Sequence, residues 1–241
     1  MAEKTESKKE EVMPVKTAAG VQANKEQQED LTELKKETSL INADIYLKTG
    51  AHIGTKEKTD YMKKYIFKTR KDGLKVMDIE VIDKRIAEAA KLLSNYVPEN
   101  IVAVSRKLYG QTPVKKFAEA INAKAITGRF IPGTFTNPEG KKFIEAQAVI
   151  VTEPDSDAQA VDEAVKMNIP VIALASINNN ARNVDLIIPV NNKGRKSLAL
   201  VYWLLAREFI KLTGAKELKV SDNFEDFEYK LTEIQGKEFH E

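Results

Sequence analysis

A stretch of thirteen residues, 126–138, combines one cation with two aromatic rings and several hydroxyl and amide groups. Arg129 is its only charged residue, and Phe130 and Phe135 are its rings. A cation and polar donors on a loop stiffened by Pro and Gly suit phosphate and sugar oxygens. Because the stretch holds no His, Cys or acid, it favours a binding surface over a reaction. The alternative is a rigid connector whose rings pack on a sheet.

A second basic cluster lies at residues 191–197, where Lys193, Arg195 and Lys196 open the last predicted helix. Positive side chains at that position oppose the helix dipole and cost up to about 1 kcal/mol each unless an anion is present. A phosphate would use these side chains together with the free N–H groups of the helix start. The alternative is a solvated basic turn.

Further cations follow other predicted strands or form a Lys-rich strip. The segments 105–107 and 178–183 each follow a strand, and the strip interleaves its cations with Tyr61 and Tyr65. Basic residues beside aromatic rings are typical of surfaces that follow a nucleic-acid backbone. The complete set of predicted RNA-binding residues is His52, Lys56, Lys58, Lys63, Lys64, Arg70, Lys71, Arg106, Lys107, Arg129, Asn179, Arg182, Lys193, Arg195 and Lys196.

The segment 49–56 resembles a phosphate-binding loop only superficially. Its glycines are one residue too close, its Lys and Thr stand in the wrong order, and no predicted strand precedes it. A single His among small and apolar neighbours is more often a structural hydrogen-bonding group than a general base, so catalysis by His52 is disfavoured. We predict no catalytic residue and no enzymatic activity.

Three carboxylates, on Glu153, Asp155 and Asp157, follow another predicted strand. They could share a divalent cation, but no partner base or further fixed ligand lies nearby in sequence. Ser156 or Asp157 is better placed to cap the next helix, where a carboxylate also meets the helix dipole favourably. We therefore predict no metal site and no cofactor.

Composition narrows the functional classes. The 241 residues include two His and no Cys, which excludes disulfides, thiolate zinc sites and thiol nucleophiles. No apolar run reaches the roughly 18 residues of a membrane span, and the first residues lack a signal-peptide pattern. These features predict a cytoplasmic protein.

The net charge of +2 conceals a basic middle, since residues 42–214 carry 27 basic and 19 acidic groups. That surplus favours a polyanionic partner.

The hydrophobic pattern predicts an α/β domain with a mainly parallel sheet at residues 42–214. Residues 1–41 form a charged extension that we expect to be disordered, and residues 215–241 form an acidic tail. The predicted strands are 65–68, 74–78, 101–105, 123–126, 146–152, 170–175 and 186–190. The predicted helices are 80–97, 110–121, 157–168 and 195–212.

Four ordered motifs, at residues 46–55, 125–137, 169–174 and 183–207, resemble the archaeal form of small-subunit ribosomal protein S-two, which is related to the eukaryotic laminin-receptor precursor. The resemblance covers about residues 42–214. It implies a flavodoxin-like three-layer α/β/α fold without flavin and a non-enzymatic role in assembly and translation. It also implies binding to rRNA and neighbouring ribosomal proteins near the head-body junction, with no membrane and no small-molecule substrate as partner.

Two departures limit what is carried over from the family. Ser176 stands where archaeal relatives commonly have an acid, and the N-terminal extension exceeds the family core. Two other classes remain open at this stage. A doubly wound enzyme for a phosphorylated small molecule would bind a nucleotide, and a protein-only scaffold would bind its partner independently of salt. The aromatic and acidic tail could dock on a neighbouring protein or remain solvated.

Overall fold

The computed structural model describes residues 40–215, 218 and 220–230. They belong to a unit that spans Leu40–Glu241. The predictions for residues 1–39 and 231–241 lie outside the described part of the chain. Within the described residues, no helix combines the length and apolar character needed to cross a bilayer.

Among the described residues, seven strands form two sheets, and each strand lies within two residues of its predicted bounds. The first two pair as an antiparallel hairpin, and the other five form a parallel sheet in the order β4-β3-β5-β6-β7. The five-stranded sheet is the predicted parallel sheet, and the hairpin stands apart from it because a short turn at 70–74 joins its two strands. The strands are β1 Ile66–Thr69, β2 Lys75–Met77, β3 Ile101–Ser105, β4 Lys124–Thr127, β5 Ala148–Val151, β6 Val171–Ala175 and β7 Leu186–Pro189.

Five α-helices and three 3₁₀ turns complete the described elements. The predicted helix at 80–97 ends four residues early, because Val97 is extended before Pro98. The first helix, which the sequence analysis did not predict, is capped by the Asn42 side chain and ends at Gly50, whose φ is 69°. The α-helices are α1 Ala43–Thr49, α2 Ile79–Leu93, α3 Leu108–Ile121, α4 Ala158–Lys166 and α5 Arg195–Thr213, and the 3₁₀ turns are Lys63–Tyr65, Pro98–Asn100 and Phe224–Phe227.

The three central strands of the parallel sheet, β3, β5 and β6, are buried on both faces, so they are almost wholly apolar. Alternate residues serve two cores. Ile101 and Ala103 face the core formed with α2, α3 and α5, whereas Val102 and Val104 face the core formed with α4. The layering and the strand order confirm the predicted three-layer, flavodoxin-like fold.

The crossover from β4 to β5 has no α-helix. Residues 128–147 instead cover the sheet face beside α4, where Phe130 and Phe135 are buried with their rings 5.1 Å apart. The two rings therefore follow the alternative interpretation, in which the loop is a rigid connector whose rings pack on the sheet. Their apolar area supplies the burial that a crossover helix would otherwise provide.

The packed unit extends past residue 214 and begins before residue 42. Phe227 and Tyr229 are 2% and 6% exposed, and the Trp203 indole N–H donates to the Ser221 carbonyl at 2.7 Å. On the other side, the Arg207 guanidinium donates to the Leu40 carbonyl at 2.6 Å. The residues 220–230 of the predicted acidic tail therefore contribute to the core through their aromatic side chains.

Candidate nucleic-acid interface

The loops that follow the parallel strands meet at one edge of the sheet, because parallel strands all end there. Hydrogen bonds join neighbouring loops along this edge. The Gly128 N–H donates to the Ser105 carbonyl at 2.9 Å, and the Arg106 N–H donates to the Asp157 carboxylate at 2.9 Å. We call the surface formed by residues 55–59, 105–107, 127–142, 152–157, 176–183 and 191–196 the strand-end edge.

The other half of the strand-end edge is joined in the same way. The Asn179 amide donates to the Asp155 carboxylate at 2.5 Å, and the Thr59 hydroxyl donates to the Asn179 carbonyl at 2.8 Å. The Asn191 amide donates to the Gly50 carbonyl at 3.1 Å. Segments far apart in sequence are thus held as one surface, and the backbone positions that carry its side chains keep fixed separations.

Arg129 is exposed in the loop after β4. It lines a groove of about 400 Å³ together with Lys142 and the hydroxyl-bearing residues Thr127 and Thr134. Two cations beside hydroxyl groups suit phosphate and sugar oxygens. Arg129 is therefore on the surface, whereas Thr134 and both rings of the loop are buried.

The buried carboxylate of Glu163 holds the Arg129 loop in shape. It accepts hydrogen bonds from the N–H groups of Gly133 at 2.7 Å and Phe135 at 3.1 Å, and from Gln159 at 2.8 Å. Burial alone would raise the pKa of Glu163, but hydrogen bonds from Gln159 and the two N–H groups outweigh it and lower that pKa. Glu163 is thus a charged anchor for a loop that carries a cation on its outer side.

The loop after β3 presents one exposed cation and one paired cation. Arg106 is exposed, whereas the Lys107 ammonium lies 2.5 Å from the carboxylate of Glu153, which is buried. Burial alone would raise the pKa of Glu153. Hydrogen bonds from Lys107 and Ser156 outweigh this effect, so the pKa lies below its ordinary value. Lys107 therefore mainly neutralises Glu153, which reduces its availability to an external phosphate.

The prediction for Asn179 needs correction, because its side chain is buried with 1% of its surface exposed. Its amide donates to Asp155, and its oxygen accepts from the Ser176 N–H at 2.8 Å and from the Asn192 amide at 2.9 Å. With these partners the side chain shapes the loop rather than contacting a ligand. Its neighbour Arg182 is exposed.

Asp157 occupies the predicted N-cap position of α4 but makes no capping hydrogen bond. Its carboxylate instead accepts from the N–H groups of Arg106 at 2.9 Å and Glu153 at 3.3 Å. Burial raises the pKa of Asp157 to about 6, and these two hydrogen bonds offset part of the increase. Within the described residues, no three His, Cys, Asp or Glu side chains are placed to hold one metal ion.

The start of α5 carries the second predicted cluster. Lys193 and Lys196 are exposed, and Gly194, at the N-cap position, offers no side chain to the free N–H groups of the helix start. The Arg195 guanidinium lies 3.9 Å from the Glu228 carboxylate. The anion that Arg195 was predicted to require is therefore supplied at least in part by the protein itself.

The segment after α1 contains residues with structural roles followed by exposed cations. His52 is half-buried, and its Nδ1 lies 3.4 Å from the Tyr46 carbonyl, which matches the structural interpretation. A Cβ on Gly54 would lie 2.2 Å from Cδ1 of Ile177, so only glycine allows this close approach. Lys56 and Lys58 are exposed.

The Lys-rich strip lies on and beside the hairpin. Its predicted cations Lys63, Lys64, Arg70 and Lys71 are all exposed. Tyr65 is 5% exposed, with the Lys64 ammonium 5.0 Å from its ring centre, so this predicted ring packs beneath a cation instead of facing solvent.

Three residues of this surface were missed by the sequence analysis. Phe67 is 71% exposed on β1, Lys142 lines the Arg129 groove, and Glu228 faces Arg195. Strand alternation would place Phe67 on the same face as the buried Tyr65, so the local pattern does not predict the exposure of Phe67. No local signal identifies Glu228, because its partner lies 33 positions earlier.

Comparison with known proteins agrees with this architecture. The model of a family described as ribosomal protein S2 matches residues 46–145 and 141–211. The chain belongs to the ribosomal protein S2 family. A relative from Haloquadratum walsbyi (strain DSM 16790 / HBSQ001), described as small ribosomal subunit protein uS2, is 50% identical over 186 residues. The alignment covers 77% of this chain and 67% of that relative. Membership of the S2 family confirms the resemblance drawn from the four motifs.

Proposed function

We propose that this S2-family chain is a structural protein of the small ribosomal subunit that binds rRNA through its strand-end edge and its hairpin. In this role it contacts neighbouring ribosomal proteins near the head-body junction and supports subunit assembly and translation in the cytoplasm. The family match and the uS2 relative support the ribosomal role. The distribution of exposed charge supports the contact with rRNA.

The observation that carries the proposal is a set of five exposed cations along the strand-end edge. None of them forms an ion pair with another residue in the described part of the chain. Cations left without protein partners on one surface are the electrostatic footprint expected for a phosphate backbone. They are Arg106, Arg129, Arg182, Lys193 and Lys196.

The edge is also suited to RNA because its backbone is already ordered. Hydrogen bonds between loops fix Ser105, Gly128 and Asp157 relative to one another. Ordering of loops upon binding costs free energy, so a surface ordered in advance loses less affinity. The A-form backbone of RNA is recognised largely by shape, which requires such fixed separations between cations.

The test compares Arg129→Ala with Lys91→Ala in the full chain. Lys91 is an exposed cation in the last turn of α2, at the opposite end of the sheet from the strand-end edge. We expect Arg129→Ala to weaken rRNA binding by about 1.5 to 3 kcal/mol if its charged hydrogen bonds are buried in the complex. Lys91→Ala should leave binding unchanged.

Salt dependence supplies a second measurement. Five phosphate contacts predict that affinity falls roughly 100- to 500-fold between 50 and 200 mM salt. Arg129→Ala should make the slope of log affinity against log salt shallower by about one unit. A flat salt dependence, or equal losses for Arg129→Ala and Lys91→Ala, would contradict rRNA binding by this edge.

A further inference from the structure

The hairpin turns an aromatic side chain toward solvent through a break in its pairing. Ile66 pairs with Met77 and Lys68 pairs with Val76, so the register shifts between them and Phe67 has no residue opposite it. Such a bulge changes the direction of a side chain. Phe67 is 71% exposed, the most of any large apolar residue in the described part of the chain.

The hairpin that carries Phe67 is anchored to the domain. Met77 is 1% exposed, and Ile66 packs against the core beneath the hairpin. The turn is closed by a hydrogen bond of 2.8 Å from the Arg70 N–H to the Leu74 carbonyl. The exposure of Phe67 is therefore set by the pairing of two fixed strands. A ring held in this way loses little conformational entropy when it binds a partner.

The segment that carries the exposed ring is rich in cations. Residues 60–72 contain five basic and two acidic groups. All five cations are exposed, and none forms an ion pair with another residue that the structure describes. They are Lys63, Lys64, Lys68, Arg70 and Lys71.

We propose that Phe67 stacks on an unpaired RNA base while the surrounding cations contact the adjacent phosphates. This inference rests on the proposed function and specifies the form of RNA bound by the hairpin. Aromatic rings bind single strands by stacking on their bases, and basic residues beside them follow the backbone. Within a duplex the faces of the bases are covered by their neighbours, so the ring requires an unpaired nucleotide.

Charge complementarity favours RNA over an apolar protein surface at this site. An apolar partner covering Phe67 would remove water from nearby ammonium groups without replacing their hydration. The centres of protein interfaces are depleted of lysine for this reason. A nucleotide supplies an apolar face for the ring and an anion for the cations at the same time.

The test measures binding of the full chain to a labelled oligouridylate and to a blunt RNA duplex of similar charge, at one salt concentration. Phe67→Ala should weaken binding to the single strand by about 5- to 100-fold and leave binding to the duplex unchanged. Phe67→Tyr should retain the affinity for the single strand, whereas Phe67→Leu, which keeps an apolar side chain without a π face, should not. Leu212→Ala, which removes an exposed apolar side chain near the C-terminal end of α5 and outside both proposed RNA-binding surfaces, should bind like the wild type.

The outcomes separate this inference from the proposed function. If the wild type binds RNA with the expected salt dependence but Phe67→Ala and Phe67→Leu bind the single strand normally, stacking is overturned and the proposed function stands. Equal losses for single strand and duplex would also overturn stacking, since they indicate a general change in the hairpin. Normal RNA binding by Phe67→Ala with poor incorporation into small subunits would point to a protein partner and overturn the inference. If the wild type binds neither the single strand nor the duplex, both proposals fail.

Discussion

The Glu163 carboxylate accepts a hydrogen bond of 2.7 Å from the backbone N–H of Gly133, thirty residues earlier in the chain. Its second oxygen accepts from the Phe135 N–H at 3.1 Å. These bonds give partners to backbone groups of a crossover that has no helix to satisfy them. One buried carboxylate on α4 thereby fixes the loop that exposes Arg129.

Replacement of this carboxylate should loosen the loop. Glu163→Gln presents an NH₂ group to one of the two N–H donors, so we expect the free energy of unfolding to fall by about 1 to 3 kcal/mol. Hydrogen exchange at the Gly133 and Phe135 amides should become faster. Asp162→Asn, an exposed carboxylate on the same helix, is the control and should change neither quantity. Unchanged exchange in Glu163→Gln would show that the loop is held by its buried rings alone.

The raised pKa of Asp157 predicts a pH dependence of stability. Its folded-state pKa of about 6 lies above the ordinary value of 3.8, so the folded protein binds more protons than the unfolded chain between these values. The free energy of unfolding contributed by this group therefore falls as the pH rises through that window, by at most about 3 kcal/mol. Relative to the wild type, Asp157→Asn should gain stability between pH 4 and pH 7 in urea titrations. A constant difference in the free energy of unfolding between the two proteins across this pH range would exclude a raised pKa for Asp157.

The sequence was sufficient to predict the sheet and most helix positions. Runs such as 101–105 and 171–175 are apolar at every position, which is the pattern of a strand buried on both faces. The exposed cations Arg106, Arg129 and Arg182 were predicted because they lie in the loops that follow strands.

The roles that depend on distant pairs could not be predicted. Asn179 was predicted to bind RNA because it lies in an amide-rich loop that follows a strand, but its partners Asp155 and Asn192 come from two other loops. The burial of Phe130 and Phe135 depends on the absence of a crossover helix, which local propensity does not report. Local patterns describe one segment, whereas these roles are set by contacts between segments.

The packing of Phe227 changes what is expected of a shortened chain. The sequence predicts only an acidic tail at residues 215–241, but Phe227 is 2% exposed. Phe227→Ala should lower the free energy of unfolding by about 3 to 5 kcal/mol, because it leaves a cavity. Glu225→Ala, in the same 3₁₀ turn and exposed, is the control. Equal melting temperatures for the wild type and a chain that ends at Gly214 would show that Phe227 contributes little to stability.

The pairing of Arg195 with Glu228 predicts that two substitutions act in opposite directions on RNA binding. The groups are 3.9 Å apart and partly exposed, so the pair contributes about 1 kcal/mol or less to stability. Its larger effect is on charge, because the carboxylate offsets a cation that would otherwise meet an RNA phosphate. Glu228→Gln should therefore strengthen rRNA binding and make its salt dependence steeper. Arg195→Ala should weaken binding less than Arg129→Ala does, since Arg129 has no ion-pair partner among the described residues.

In the double variant, Glu228→Gln should have no further effect on affinity, because the cation it would release is absent. Titrations of rRNA fragments at two salt concentrations, with melting temperatures measured in parallel, decide this. If Glu228→Gln strengthens binding equally with and without Arg195, the carboxylate acts through the overall charge of the domain and the specific pair has no role in binding.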